Sequence, residues 1–233
     1  MRRIIIVLLA ALALAPATVR AGIIGTRAEL MSILGADTVT DDFEAFPAPN
    51  GAAVNTQVSY IDALSVVAGV GPGLVHPGAS YSFVRAPLTW VGSNYNGIST
   101  RTIVAWNLGA AASAEVPSSP EDVKLFFAVL ISYVVPTPAF GVDLWRFDVM
   151  GVVTVEIYDP LGNLINDPIV SIPSLGVPTF FGYADPGGIG AVVVKNTKFP
   201  TYWSPNIDNH TYAAAANTPT RKSTWGRLKS LYR

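Results

Sequence analysis

The chain has 233 residues, of which 50% are hydrophobic and only 13% charged, with a net charge of −1 and no cysteine. Disulfides, thiol chemistry and thiol-linked lipid anchors are therefore excluded, and the fold must rest on an ordinary apolar core. Charge is unevenly placed: Gly22 to Tyr212 carries seven bases against all 16 acids, a net −9, while Arg221 to Arg233 carries five bases and no acid. An acidic body excludes nucleic acid as the main partner, because a polyanion needs a basic surface.

Residues 1–21 have a basic start at Arg2 and Arg3, an apolar stretch from Ile4 to Ala15, and Val19 and Ala21 framing a cut before Gly22. This is the pattern of an export signal, too short to span a bilayer, where about 20 apolar residues are needed. The expected location is the periplasm, the cell surface or the medium. The apolar run Leu125 to Val135 is also too short to span and stops at Pro136, which suits a buried strand.

Next comes "GTRAELMSILGAD". Thr26 followed by Glu29 predicts a capping box, Leu30, Ile33 and Leu34 an apolar helical stripe, and Gly35 its stop. From Thr38 onward, short β-branched and aromatic runs alternate with Gly, Pro, Asn and Asp, among them "TRTIVAW", "GVDLWRF", "GVVTVEIYD", "TFFGYAD" and "IGAVVVKN". "YDPLGNL" reads as a turn between two of them. No second helical pattern precedes the tail. The expected fold is all-β: one antiparallel two-sheet sandwich over 22–213 with a single short N-terminal helix. "GAAASAEVPSSPED" at 109–122 reads as a long loop within it, and residues 214–233 as a linker and basic tail.

The order of "DDFEAF", "FGVDL", "VTVEIYDPLGNLI", "VPTFFGYADPGGIGAVVV" and "NIDNHTYA" resembles the jelly-roll sandwich domains of exported bacterial proteins, including many with PEP-CTERM sorting tails. The resemblance covers most of Gly25 to Ala213. This chain lacks Pro-Glu-Pro and a terminal apolar span, so that sorting route is not carried over. The resemblance implies a fold like that of carbohydrate-binding modules and no assigned activity. It also implies that the first and last strands pair, which would bring Asp208 beside Asp42 and Glu44.

Alternation along Thr38 to Phe46 predicts Val39, Asp41, Phe43 and Ala45 on one face, with Thr40, Asp42, Glu44 and Phe46 on the other. Neighbouring carboxylates repel unless they are solvated, share a proton or hold a cation. Calcium suits them, since it takes oxygen ligands from carboxylates and carbonyls. The expected cofactor is a structural calcium on Asp42, Glu44 and Asp208. Two other readings stay open: acids on a wet strand face, or a glycosidase pair formed by Asp42 and Glu44, for which "DLWRFD" at 143–148 is the nearest second acidic cluster. The two histidines, His76 and His210, match no metal-hydrolase spacing.

For a ligand surface, "PLTWVGSNYNGIS" offers Trp90 and Tyr95 beside Asn94, flat faces and amides suited to a sugar ring; the alternative is that Trp90 closes one end of the core. The tail "STWGRLKSLYR" spaces Trp225, Leu228, Leu231 and Tyr232 as a short amphipathic helix with a basic face. Such a tail suits an anionic surface or sorting machinery, and a disordered end fits it equally. The expected function is a secreted, non-catalytic surface or matrix binding module with an extracellular glycan as its ligand. The rivals are a carbohydrate-active hydrolase and a purely structural envelope component.

Overall fold

The computed structural model describes residues 20–56, 58–84, 88–94, 98–105, 128–146, 151–196 and 206–214. The leader up to residue 19, Tyr95, the 109–122 stretch and the basic tail lie outside them. The strands are β1 (Gly22–Ile24), β2 (Thr38–Asp41), β3 (Ala53–Asn55), β4 (Tyr60–Ile61), β5 (Ala79–Val84), β6 (Leu88–Val91) and β7 (Thr102–Ala105). They continue with β8 (Ala128–Trp145), β9 (Val152–Tyr158), β10 (Leu164–Asn166), β11 (Ile169–Ser171), β12 (Thr179–Asn196) and β13 (Asn206–Ala213). Among the described residues there is one α-helix, α1 (Arg27–Leu34), between β1 and β2. Among the described residues no helix is long and apolar enough to cross a membrane.

Two 18-residue strands, β8 and β12, pair antiparallel along both of their halves and carry a layer on each. The first layer runs β4–β5–β8–β12–β9, with β10 and β11 on the outer edge of β9. The second runs β1–β12–β8–β13–β7–β6–β3, and β2 also pairs with β13. Each long strand is continuous where the sequence pattern predicts two shorter strands. Pro136 and Pro138 in β8, and Asp185 to Gly188 in β12, lie where the pairing register shifts between Ala184 and Ile189, so the breakers bend these strands without ending them.

Alternation then sorts the faces. Val129, Ile131, Tyr133, Phe140, Val142 and Leu144 of β8 share one core with Phe181, Tyr183, Val192 and Val194 of β12, Val153, Val155 and Ile157 of β9, and Trp90, Ile103 and Ile207 of the second layer. Expectation and structure agree on an all-β antiparallel sandwich with one short helix.

The helix is capped as its sequence dictates. Thr26 Oγ1 accepts the Glu29 N–H at 3.2 Å, Glu29 Oε2 accepts the Gly25 N–H at 3.1 Å, and Gly35 ends the helix at φ 68°. Leu30 and Leu34 pack with Ile24, Ala139 and Ala184, so α1 lies on the outer face of the second layer. That close approach needs Gly141: a Cβ there would stand 2.5 Å from Leu30 Cδ2.

The predicted strand over Thr38 to Phe46 is shorter than expected, ending at Asp41. Asp42 Oδ1 accepts the Glu44 N–H at 3.1 Å, a local turn that competes with the ladder, and Phe43 takes φ 54°. Phe43 and Phe46 both enter the core instead of alternating across a sheet.

Candidate functional site

β2 and β13 do pair, with His210 opposite Asp41 and Ala213 opposite Thr38. On its other side β13 faces β8, where Asn206, Ile207 and Asp208 stand opposite Trp145, Leu144 and Asp143. Ile207 also opposes Ile103 of β7, and one residue along that register Thr102 faces Asp208. Ile103, Leu144 and Ile207 point into the core, so Thr102, Asp143, Asn206 and Asp208 share the outer face of the second layer.

Asp208 is fully buried there. Its carboxyl is pushed up to about 7, chiefly by burial, with Asp143 and Glu44 adding repulsion; bonds from Asn209 N–H and the Thr100 side chain oppose the shift. The Thr100 hydroxyl sits between two acids, 2.5 Å from Glu44 Oε1 and within hydrogen-bond reach of Asp208, and its one proton serves one carboxylate at a time. Arg101 holds the other side of Glu44, through its backbone N–H to Oε1 at 3.0 Å and Nη1 at 3.6 Å from Oε2.

A register shift after Asp208 makes room for Asn209, which takes φ 47° and bridges Asp143 and Asp208 through Nδ2 at 3.0 Å to each. Arg27 of α1 completes the edge, 2.6 Å from Asp143 Oδ2. Among the described residues, three neutral groups on this face are buried without a hydrogen-bond partner: the Asn206 side-chain amide, both Oδ1 and Nδ2, Thr102 Oγ1, and Nε1 of Trp145, which stands opposite Asn206.

Of the three acids expected to hold a cation, Glu44 and Asp208 are therefore brought together, one threonine hydroxyl apart. Asp42 is exposed and its carboxylate serves its own turn. Asp143 takes its place beside Asp208. Among the described residues no group of three or more His, Asp or Glu side chains is disposed to hold a metal ion.

A second polar cluster crosses the core itself. Tyr81 donates to Asp41 Oδ2 at 2.5 Å, so its oxygen accepts from His210 Nδ1–H at 2.7 Å; His210 Nε2 then accepts the Tyr133 hydroxyl at 2.8 Å. Asp41 Oδ1 takes the His76 N–H at 2.6 Å and the His76 ring at 2.8 Å. Burial pushes the His210 imidazole down to about 3, which keeps it neutral, and raises the Asp41 carboxyl. Sequence alternation places Asp41 on a strand face and carries no sign that it anchors a buried chain of tyrosines and histidine.

The ligand-surface expectation needs correction at Trp90. It is 1% exposed and stacks on Phe46 with ring centroids 4.6 Å apart, so it offers no face to a sugar ring. Packing decides this: Trp90 lies on the core face of β6, opposite Ile103 of β7. Asn94 is exposed at a turn with φ 62°, its Nδ2 donating to Asn50 Oδ1 at 3.0 Å. Trp145 is buried with Val91, Ile98 and Val104.

No family model matches this chain, and no curated protein matches it. Among solved structures, it is similar to the CBM22-1–GH10 modules of the Clostridium thermocellum endo-1,4-β-D-xylanase 10B complexed with xylohexaose, at 14% identity and a TM-score of 0.40. That match covers 80% of this chain and 30% of the other. The K1 cleaved adhesin domain of Lys-gingipain from Porphyromonas gingivalis matches over 77% of this chain and 99% of its own, at 12% identity and a TM-score of 0.38. The K2 cleaved adhesin domain of Lys-gingipain matches at 9% identity and a TM-score of 0.38, over 78% of this chain and all of its own. The chemistry of the site has to come from its own residues.

Proposed function

We propose that the chain is an exported, non-catalytic binding module whose fold is tied together by a hard divalent cation, calcium, at Asp208. The observation that carries this is the full burial of Asp208 beside Glu44, with the Asn206 amide and the Thr102 hydroxyl buried and unpaired on the same face. A buried carboxyl that no substrate can touch is a poor catalyst, whereas calcium accepts oxygens from carboxylates, neutral groups and water alike, so buried Asp208 and exposed Glu44 can both serve it. Glu44 and Asp208 would supply the two carboxylates, and Thr100, Thr102 and Asn206 neutral oxygens; Asp143 stays with Arg27. The ion would join the Glu44 turn to β13 and stabilise the fold in proportion to the logarithm of its concentration.

For the ligand we retain an extracellular glycan, assigned to the exposed amides and hydroxyl of Asn50, Ser93 and Asn94. The basic tail is assigned to an anionic surface. The pair read as a glycosidase from the sequence is less suited to catalysis, because Asp42 is occupied by Glu44 N–H and Glu44 by Thr100 and Arg101. The test is thermal melting in excess calcium and in chelator, for the natural chain and Asp208→Ala, followed by a glycan array and an assay of reducing-sugar release. Calcium should raise the melting temperature of the natural chain alone, and a glycan should bind without release. Identical melting curves would remove the cation, release of sugar would establish the hydrolase, and silence on the array would leave a structural component.

A further inference from the structure

The fold takes up the chain at the residue where the leader pattern ends. β1 begins at Gly22, and Gly22, Ile23 and Ile24 pair with Ala184, Tyr183 and Gly182 of β12. This strand is firmly seated: Ile24 is buried against Leu30, Leu34, Ala139 and Ala184, and a Cβ on Gly182 would stand 3.1 Å from Ile24 Cβ. Arg20 and Ala21, by contrast, are exposed and outside the ladder.

One step back along the register, Ala21 stands opposite Asp185. That carboxylate is half-buried, its Oδ1 accepts the Gly187 N–H at 2.9 Å, and it has no ion pair among the described residues.

The geometry points to Asp185 as a receptor for the α-ammonium of Gly22, a group that exists only after the Ala21–Gly22 bond has been cut. A protease selective for small residues on the acyl side adds water across that bond; Ala21 leaves as a carboxylate and the Gly22 nitrogen becomes an ammonium. The new charge lies about one strand residue, roughly 3.3 Å along the chain, from the position facing Asp185. Processing thus supplies the counter-ion that locks β1 onto β12. It also sets an order of events. A protease grips extended residues on both sides of the bond it cuts, and Gly22 to Ile24 are engaged once β1 is in the sheet, so the cut precedes the docking of β1. The inference rests on the export reading of the leader and is independent of the cation.

The experiment has two parts. The full precursor is secreted from a bacterial host and the mature terminus read by mass spectrometry, with Gly22 expected first. Then a chain beginning at Gly22 and one extended by Ser-Ala before Gly22 are compared, each with and without Asp185→Asn, by hydrogen exchange at Ile24. The extension should speed exchange about two- to fivefold, the range of a partly exposed ion pair. Asp185→Asn should do the same in the Gly22 chain and nothing more in the extended one, and the difference should vanish above about pH 8, where an α-amine loses its proton. A mature terminus other than Gly22 overturns the proposal. So does an Asp185→Asn effect of equal size in both chains, which would assign Asp185 to its Gly187 turn alone. Failure of secretion with the ion pair still measurable would count against the export reading and leave the pairing of Gly22 with Asp185 intact.

Discussion

Asp208→Asn, studied in chelator, should reveal a pH dependence that the natural chain conceals. His210 is held neutral with its folded value lowered to about 3 from 6.5, so between those values the unfolded chain binds a proton that the folded chain does not. Stability is therefore lost as pH falls through that window, by about 1.4 kcal/mol per pH unit. Asp208 acts with the opposite sign. Its folded value is raised to about 7 from 3.8, so the folded chain binds the extra proton, and its contribution is present at low pH and lost as pH rises through 7. Between about pH 4 and 6.5 the two slopes cancel. Asp41, also raised by burial, is common to both proteins and drops out of the comparison. Replacing Asp208 by neutral Asn removes one slope and leaves that of His210. From pH 6.5 to 5 the variant should lose about 2 kcal/mol more than the natural chain, which is 1.5 pH units at that slope. Urea unfolding at half-unit pH steps measures this directly. Parallel stability curves for the two proteins would refute the reasoning for Asp208, and a variant curve that stays flat between pH 6.5 and 5 would refute it for His210.

Three further outcomes follow from packing. Trp90→Ala should cost about 3 to 5 kcal/mol in urea unfolding, as truncation of a buried aromatic does, and a much smaller loss would mean that its stack on Phe46 is not part of the core. Tyr133→Phe leaves His210 Nε2 buried without its donor and should cost about 1 to 3 kcal/mol; the Nε2 resonance in NMR should shift with it, and an unchanged resonance would contradict the tautomer assigned above. Gly141→Ala should force α1 off the sheet, because the new Cβ meets Leu30 Cδ2 at 2.5 Å and Phe180 Cε2 at 2.7 Å. A loss of about 1 to 3 kcal/mol in the melting analysis, with faster exchange confined to residues 27–34, is expected, and exchange spread evenly over the sheets would argue against local undocking.

The sequence alone was sufficient wherever the cause is local. Thr26, Glu29 and Gly35 specify the start and stop of α1 through bonds within one turn of chain, and period-two alternation in β9 marks Val153, Val155 and Ile157 as core. The turn at Asp159 is equally self-contained, since its carboxylate accepts the N–H groups of Leu161 and Asn163. That Asp208 would meet Glu44 could be anticipated only through the pairing of the strand at Thr38 with the last strand, β2 with β13, which a resemblance in motif order supplied.

Three matters were decided by tertiary structure. Asp42 and Glu44 alternate on paper, but a side-chain bond to the Glu44 N–H turns the chain out of the ladder, so Asp143, 65 residues upstream in β8, becomes the neighbour of Asp208. Trp90 looks the same in sequence whether it faces solvent or core, and only its register against Ile103 puts it inside. The chain from Asp41 through Tyr81 and His210 to Tyr133 draws on β2, β5, β13 and β8, elements whose mutual placement no local pattern encodes. The physical reason is common to all three: a hydrogen bond or a buried face within a turn is specified by neighbours in sequence, whereas partners brought from distant strands depend on how the long β8 and β12 bend and carry their layers.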